Sequence, residues 1–346
     1  MVPKLFFLLS GEHKTLPFAE LKAILETEDI PYKELQTLSQ VLRLNTTVDA
    51  VEPVRGRAAL TRICCQELFY CQASFAEIVR AMQSVSLDNF LQQSESFVVR
   101  VRRVGEAARN LISMDLERKL GELVLNKVKG AKVNIKQPKK TFFGTLTDSS
   151  FLFGLKLAEI APTPFMQRRP RKRPFFHPSA MPAKLARCMV NLAMPKRGDL
   201  VLDPFCGTGS FLIEAGLLGC RVLGFDAKRR MVRGSSRNLR FFNVEFEGLG
   251  VADAKHLPLM KFDCIVTDPP YGRSASTLGY TTRQIIQDFL VMSGDRVAKG
   301  QRICTAAPKT VHISEIAETL GFKHVQSHFV YVHRSLTREI VVLEKA

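Results

Sequence analysis

The sequence predicts an α/β protein: a doubly wound, Rossmann-like parallel sheet over its C-terminal half, closed by an antiparallel hairpin and preceded by mixed α+β structure. Three observations carry this. From residue 179 onward, short continuous apolar runs alternate with helical spacings, as expected of strands buried on both faces by crossover helices. The run Leu200-Val-Leu leads directly into Asp203-Pro-Phe-Cys-Gly-Thr-Gly-Ser, a glycine-rich turn between a strand and a helix. The last two extended runs, 323–333 and 339–343, are separated only by Arg334-Ser-Leu-Thr-Arg338, too short for a crossover and right for a hairpin.

Taken in order, residues 4–9 read as a strand and 17–26 as a helix, with Pro17 in the first turn, where its missing N–H costs nothing. Two short extended segments follow, ending near Leu44. The region 56–156 opens with helical spacing over 57–71 and 75–82, and Cys64-Cys65 falls inside the first of these as packing. The alternation in Phe97-Val-Val-Arg-Val-Arg-Arg predicts a strand, 114–127 a helix, and 132–135 and 151–157 strands. Residues 158–178, rich in proline and arginine, predict an extended, stiff linker. A helix then buries Leu185, Cys188, Met189 and Leu192 on one face. Strands are expected at 200–203, 221–226, 244–252, 262–268 and 302–307. The expected domains are 1–55, 56–157, the linker 158–178, and 179–346.

Composition narrows the function. No stretch approaches the roughly 20 apolar residues needed to cross a bilayer, and the short apolar start lacks a small-residue cleavage site, so it reads as a strand. The eight cysteines form no C-x-x-C pair. They predict buried thiols in a reducing cytoplasm, with neither disulfides nor a metal site. The net charge of +17 points to a polyanionic partner. Its distribution is uneven: −3 over 1–95, +12 over 96–175 and +8 over 176–346. The concentration of cations in the middle segment predicts nucleic-acid contact there. Arg168, Arg169, Arg171, Lys172 and Arg173 are the strongest candidates, with Lys136, Lys139 and Lys140 behind them.

The glycine-rich turn is the first site. Gly207 and Gly209 permit a tight turn and close approach of a ligand, with Phe205 and Thr208 in the same loop. Position 212 is Leu, so the longer dinucleotide fingerprint is not met. Asp203 would repel a pyrophosphate at the strand end, whereas a cationic amino acid, such as the methionine part of S-adenosylmethionine, suits it. Asp226 lies 23 positions further on, placed to accept ribose hydroxyls. Asp253, next to Ala254, follows the third strand and could accept an adenine amine. Each aspartate alone could be a helix cap; three at successive strand ends point to one ligand.

Asp268-Pro-Pro-Tyr271-Gly closes the fourth strand and is the most specific motif. An exocyclic base amine is a poor nucleophile because its lone pair is delocalised into the ring. Asp268 and the carbonyl of Pro269 supply acceptors that hold its N–H groups, and Asp268 can take the released proton. Pro269 and Pro270 make a rigid turn, and Tyr271 offers a face for stacking on the base.

The set resembles the amino-methyltransferases with a D/N-P-P-Y motif. The layout is similar to that of the tRNA guanine N2-methyltransferases carrying a THUMP domain, above all the branch acting on guanosine 10. Asp268-Pro-Pro-Tyr-Gly-Arg-Ser resembles this branch more than its relative for position 6, which typically has Asn first. The resemblance implies a methyltransferase fold, S-adenosylmethionine as cofactor, a ferredoxin-like N-terminal domain and a THUMP domain gripping tRNA. The segment Arg173-Pro-Phe-Phe-His-Pro-Ser-Ala-Met-Pro-Ala-Lys-Leu-Ala-Arg resembles the family's cover over one side of the cofactor, which includes His177 and Pro178. It further implies tRNA as partner, a small zinc-binding activator protein, and a cytoplasmic setting. Two other readings stand beside it: methylation of another amine, guanosine 6 of tRNA or adenine N6 in nucleic acid, and an RNA-binding subunit without catalysis. An intact Asp268-Pro-Pro-Tyr271 argues against the second, which has no physical need for it.

Overall fold

Strand β1 (Lys4–Leu9) is buried at every position after Lys4, as a strand covered on both faces must be. Helix α1 (Leu16–Thr27) follows, then the antiparallel pair β2 (Tyr32–Leu38) and β3 (Val41–Thr46), and the short helix α2 (Val51–Arg57). Next come β4 (Thr61–Gln72), α3 (Phe75–Ser84), β5 (Ser96–Arg103), α4 (Ser113–Lys127), β6 (Lys132–Val133), β7 (Lys140–Thr147) and β8 (Ser150–Glu159). The computed structural model describes residues 3–258, 261–271 and 280–346. They form two units, the first comprising residues up to Phe18, Asp29–Arg55 and Thr61–Ile160.

The first unit is built on one eight-stranded sheet, in the order β2-β3-β1-β4-β8-β7-β5-β6. Two expectations are corrected here. Residues 61–72 are a strand, not the continuation of a helix: β4 lies between β1 and β8, and Cys64 and Cys65 are fully buried in it. A central strand gives a continuous apolar run, and bulges at Cys64/Cys65 and Glu67/Phe69 break what alternation remains. The boundary expected at 55/56 is also absent from this sheet, because β4 joins the β1–β3 half to the β8–β5 half. Strand β7, beginning at Lys140, was not foreseen. Helices α3 and α4 close the second half over a phenylalanine core, in which Phe142 and Phe153 stack at 5.9 Å.

The second unit comprises Ala19–Glu28, Gly56–Leu60 and Ala161–Ala346. The expected linker is not simply extended: it holds α5 (Thr163–Gln167) and a single 3-10 turn over Pro170–Lys172. Proline is compatible with the first turn of either. Then follow α6 (Ala183–Leu192), β9 (Leu200–Asp203), α7 (Ser210–Gly216), β10 (Arg221–Asp226), α8 (Arg229–Phe241), β11 (Gly248–Val251) and β12 (Cys264–Thr267). The chain ends with α9 (Thr282–Gly294), β13 (Arg302–Pro308), α10 (Ile313–Thr319), β14 (Phe322–His333) and β15 (Leu336–Lys345). Strand β11 is shorter than the expected 244–252, and only Arg334 and Ser335 separate the last two strands.

The seven-stranded sheet runs β11-β10-β9-β12-β13-β15-β14. Ladders from β11 to β13 are parallel, and β15 is antiparallel to both β13 and β14. This is the Rossmann-like methyltransferase architecture, with the reversed hairpin that the sequence predicted. The strand order reverses between β9 and β12, which creates a crevice at the C-terminal ends of β9, β10 and β12. Inside the unit, Glu20 of α1 is fully buried; it accepts the Ala59 and Leu60 N–H groups and the Asn191 amide of α6 at 2.9 Å. Among the described residues no helix is long and apolar enough to cross a membrane.

Candidate active site

Asp203 ends β9 at the switch point, and residues 204–209 turn the chain into α7. Gly207 and Gly209 have φ of +51° and +80°, which side-chain-bearing residues rarely adopt. A Cβ on Gly209 would also lie 2.5 Å from Ser235 Oγ, so glycine is required where the loop rests on α8. Asp203 is fully buried. Its Oδ1 accepts the Phe205 N–H at 3.2 Å and the Thr267 hydroxyl at 2.7 Å, while Oδ2 has no protein partner. Burial pushes this carboxyl up to about 8; the two hydrogen bonds oppose the shift, and Asp226 and Asp268 add to it. Near neutral pH the group is therefore held protonated by its surroundings. A cation entering beside Oδ2 restores the carboxylate, so the pocket fits a positively charged ligand group.

Asp226 ends β10. Its two carboxylate oxygens accept the Gly207 N–H at 3.0 Å and the Lys228 N–H at 2.9 Å, leaving a second lone pair on each. Burial raises this carboxyl, and the hydrogen bonds from the Lys228 and Gly207 N–H groups oppose the rise. His177, which the family resemblance implies as part of a cover over the cofactor, is half-buried in the segment before α6. Its ring is held by Ser179 through Nδ1 at 2.7 Å, and Pro178 beside it is exposed. Asp253 is exposed beyond β11, next to buried Ala254, and accepts the Lys255 N–H at 3.0 Å. Asp203, Asp226 and Asp253 each accept the N–H two residues on. These are local turns rather than helix caps, since α7 and α8 are capped at Gly209 and Lys228. Phe205 packs edge-on against Phe289 at 5.9 Å, and the carbonyl of buried Thr208 accepts from Asn238.

Asp268 follows β12. It accepts the Tyr271 hydroxyl, which in turn accepts from Arg338 Nε at 3.0 Å, while Arg338 Nη2 lies 3.4 Å from Asp268 Oδ2. The Arg338 guanidinium also sits 5.5 Å from the centre of the Tyr271 ring. The Arg338 and Asp268 side chains are 11% and 14% exposed. Burial pushes the Asp268 carboxyl up to about 7, against the lowering effect of Arg338. Pro269 is buried and Pro270 half-buried. Gly272, Arg273 and Ser274 of the motif lie outside the described residues.

Arg338 was missed in the sequence, where it falls in the connection of the hairpin. Its position follows from ladder register, Arg338 lying opposite Pro308 of β13 and Val330 of β14. Thr267 was missed too, being one of several small residues in a strand.

The cationic segment needs correction. Arg168 is turned inward onto fully buried Glu214, with Nε–Oε1 at 2.7 Å and Nη2–Oε2 at 3.0 Å; Arg187 of α6 joins the same carboxylate at 3.0 Å. Arg173, 5% exposed, donates to Ser210 Oγ at 2.6 Å and to the Arg168 carbonyl at 3.0 Å. Burial lowers its guanidinium to about 10. Neither is free for phosphates, because α5 and the turn after it fold both against α7. Arg169, Arg171 and Lys172 remain exposed. In the first unit Lys136 is exposed, Lys140 is half-buried, and Lys139 is paired with Glu95 at 2.8 Å.

A family model described as an RMKL-like methyltransferase domain matches residues 170–339, and a DNA methylase model matches 76–237. The chain is 37% identical over 344 residues to a tRNA (guanine(10)-N2)-dimethyltransferase of Methanothermobacter thermautotrophicus, covering 99% of both chains. It is 32% identical to the protein of the same name from Methanocaldococcus jannaschii, covering 98% and 99%. Among solved structures, TrmN from Thermus thermophilus shares the fold with a TM-score of 0.57 at 21% identity, covering 99% of this chain and all of that one.

Proposed function

This chain belongs to the tRNA (guanine(10)-N2)-dimethyltransferase family, and we propose that it transfers methyl from S-adenosylmethionine to the exocyclic N2 amine of guanosine 10 in tRNA. The observation that carries the chemistry is Asp268, a largely buried carboxylate at the end of β12, poised near neutral pH and one crevice away from the unpartnered oxygen of Asp203.

The pocket at β9 and β10 fits the cofactor. Asp203 would hold its amino group, the turn through Gly207, Thr208 and Gly209 would take its methionine part, Asp226 its ribose hydroxyls and Asp253 its adenine amine. On the same reading, Phe205, Ala254, His177 and Pro178 would line the cofactor's crevice. When bound, S-adenosylmethionine supplies an electrophilic methyl group. Asp268 and the Pro269 carbonyl accept the two N–H groups of the target amine, which turns its lone pair out of conjugation. Asp268 then takes the proton that the amine releases, and a carboxyl titrating near 7 is matched to that task. Pro270 stiffens the turn, and Tyr271 stacks on the base. Arg338 is a positioning residue: it holds Tyr271 and Asp268 together and keeps the carboxylate from rising further.

The pH dependence follows. Asp268 must be ionised to accept a proton, so methyl transfer rises with pH through about 7 and levels off above it. Among the described residues Arg338 is the cation that lowers this carboxyl, and Arg338→Gln shifts the midpoint up by about one pH unit, with activity largely regained on the alkaline side. A kcat profile in which the midpoint stays in place excludes this role for Arg338.

The further parts of the reading rest on resemblance supported by charge. The part of the first unit from β4 to β8 acts as a THUMP domain on tRNA, with Lys136, Lys139 and Lys140 on it and Arg169, Arg171 and Lys172 beyond it. A small zinc-binding activator adds to an edge of the seven-stranded sheet. The exposed Val251 of β11 and the exposed Phe329 and Tyr331 of β14 mark its two edges. The cytoplasm, where tRNA and reduced thiols coexist, is the expected compartment.

A further inference from the structure

Helix α8 (Arg229–Phe241) carries five arginines and no acidic residue. At about 100° per residue, Arg229, Arg240, Arg233, Arg237 and Arg230 fall within an arc of about 100° on one face. All five are exposed, while Gly234, Ser235, Asn238 and Leu239 form the buried side. Among the described residues none of the five is ion-paired; Arg230 lies over the Phe175 ring at 5.8 Å.

This stripe runs against the helix that bears it. Arg229 and Arg230 stand in the first turn, behind Lys228 at the cap, where the helix dipole is already positive; that turn holds no acid, and the carboxylate beside it is that of Asp226, which accepts the Lys228 N–H. Arg229, Arg233 and Arg237 repeat at i, i+4 and i+8, so like charges face one another. Gly234, Ser235 and Ser236 add little helix propensity to offset this. A local cost without an internal return points to a partner. Successive members of the i, i+4 row are about 6 Å apart along the axis, comparable to the separation of neighbouring phosphates on a nucleic-acid strand.

The stripe is continuous with the Arg/Pro segment. The Phe175 N–H donates to Asn238 Oδ1 and its carbonyl accepts from Asn238 Nδ2, both at 2.9 Å. A Cβ at Gly234 would meet the Phe175 ring at 2.0 Å, which explains glycine in mid-helix. The segment holding exposed Arg169, Arg171 and Lys172 is therefore tied directly to α8.

We propose that the Arg229–Arg240 face of α8 is a phosphate-binding track that grips the sugar–phosphate backbone of tRNA beside the catalytic crevice, an inference that rests on tRNA being the substrate. Its measure is the salt dependence of tRNA binding by fluorescence anisotropy, for the wild type and for Arg229, Arg233, Arg237 and Arg240 all replaced by Gln. The variant is expected to bind at least tenfold more weakly at 150 mM salt, and its log–log salt slope is expected to be shallower by about 2 to 4. Melting temperature and S-adenosylmethionine affinity are expected to stay near wild type. The four-lysine counterpart keeps the charges and is expected to keep the slope, which separates charge loss from damage to the helix. An unchanged slope in the glutamine variant overturns the track and leaves the stripe to solvent or an acidic protein. If the wild type transfers no methyl to tRNA, the proposed reaction falls, while the slopes, which need no turnover, still decide the track.

Discussion

Asp268→Ala lowers methyl transfer to tRNA by about three orders of magnitude at saturating substrates, with tRNA affinity within about twofold of wild type. The size follows from what the side chain supplies: an acceptor that fixes the amine N–H, a negative charge facing the positive charge that develops on nitrogen, and a proton acceptor titrating near 7. Each is worth about 10² or more when it acts only in the transition state, and they overlap in one residue. Asp268→Asn keeps an acceptor for the Tyr271 hydroxyl and for the amine but cannot take the proton; its loss is expected to be smaller, about ten- to a hundredfold. Affinity is spared because phosphate contacts that do not involve Asp268 dominate it. Single-turnover rates and anisotropy titrations on the same variants check both halves. Near-normal turnover in the alanine variant removes Asp268 from the mechanism.

Glu214→Ala destabilises the second unit by about 3–5 kcal/mol, the usual result of stranding buried charge. Glu214 is fully buried, and its carboxylate answers both Arg168 and Arg187, whose side chains are 13% and 5% exposed. Burial already lowers the Arg187 guanidinium, with Glu214 the main opposing influence. Without that carboxylate two guanidinium groups lose their counter-ion in a place that water reaches poorly. The segment from α5 to His177 loses its anchor as well, so S-adenosylmethionine binding is expected to weaken together with stability. Urea unfolding monitored on the full chain reads the first effect and cofactor titration the second. A loss below about 1 kcal/mol means that solvent reaches this cluster and the pairing is only superficial.

The catalytic sheet was legible because its strands are short, apolar on both faces, and end in residues that chemistry requires. Asp203, Asp226 and Asp268 all stand where a buried run stops, and the short final connection forced a hairpin. Strand β4 was not legible for a related reason: burial on both faces and two bulges erase the period that distinguishes a strand from a helix. Arg338 could not be found from spacing, since it reaches Asp268 only through ladder register some seventy residues later. Charge was the most misleading signal. A tally along the chain drew attention to 96–175, but Arg168, Arg173 and Lys139 in that stretch are matched or buried. The arginines that no acid among the described residues answers stand on α8, in a region of modest overall charge. Counting cations says how many there are; only the fold says which are spent.

The central claim is tested most directly by transfer of labelled methyl from S-adenosylmethionine to two tRNA transcripts that differ only in position 10, guanosine in one and inosine in the other. Inosine removes the exocyclic amine and little else. The account predicts label on the guanosine-10 transcript, recovered as N2-methylated guanosine, and none on the inosine-10 transcript. Equal label on both would contradict guanosine 10 as the target and move the methyl acceptor elsewhere in the RNA.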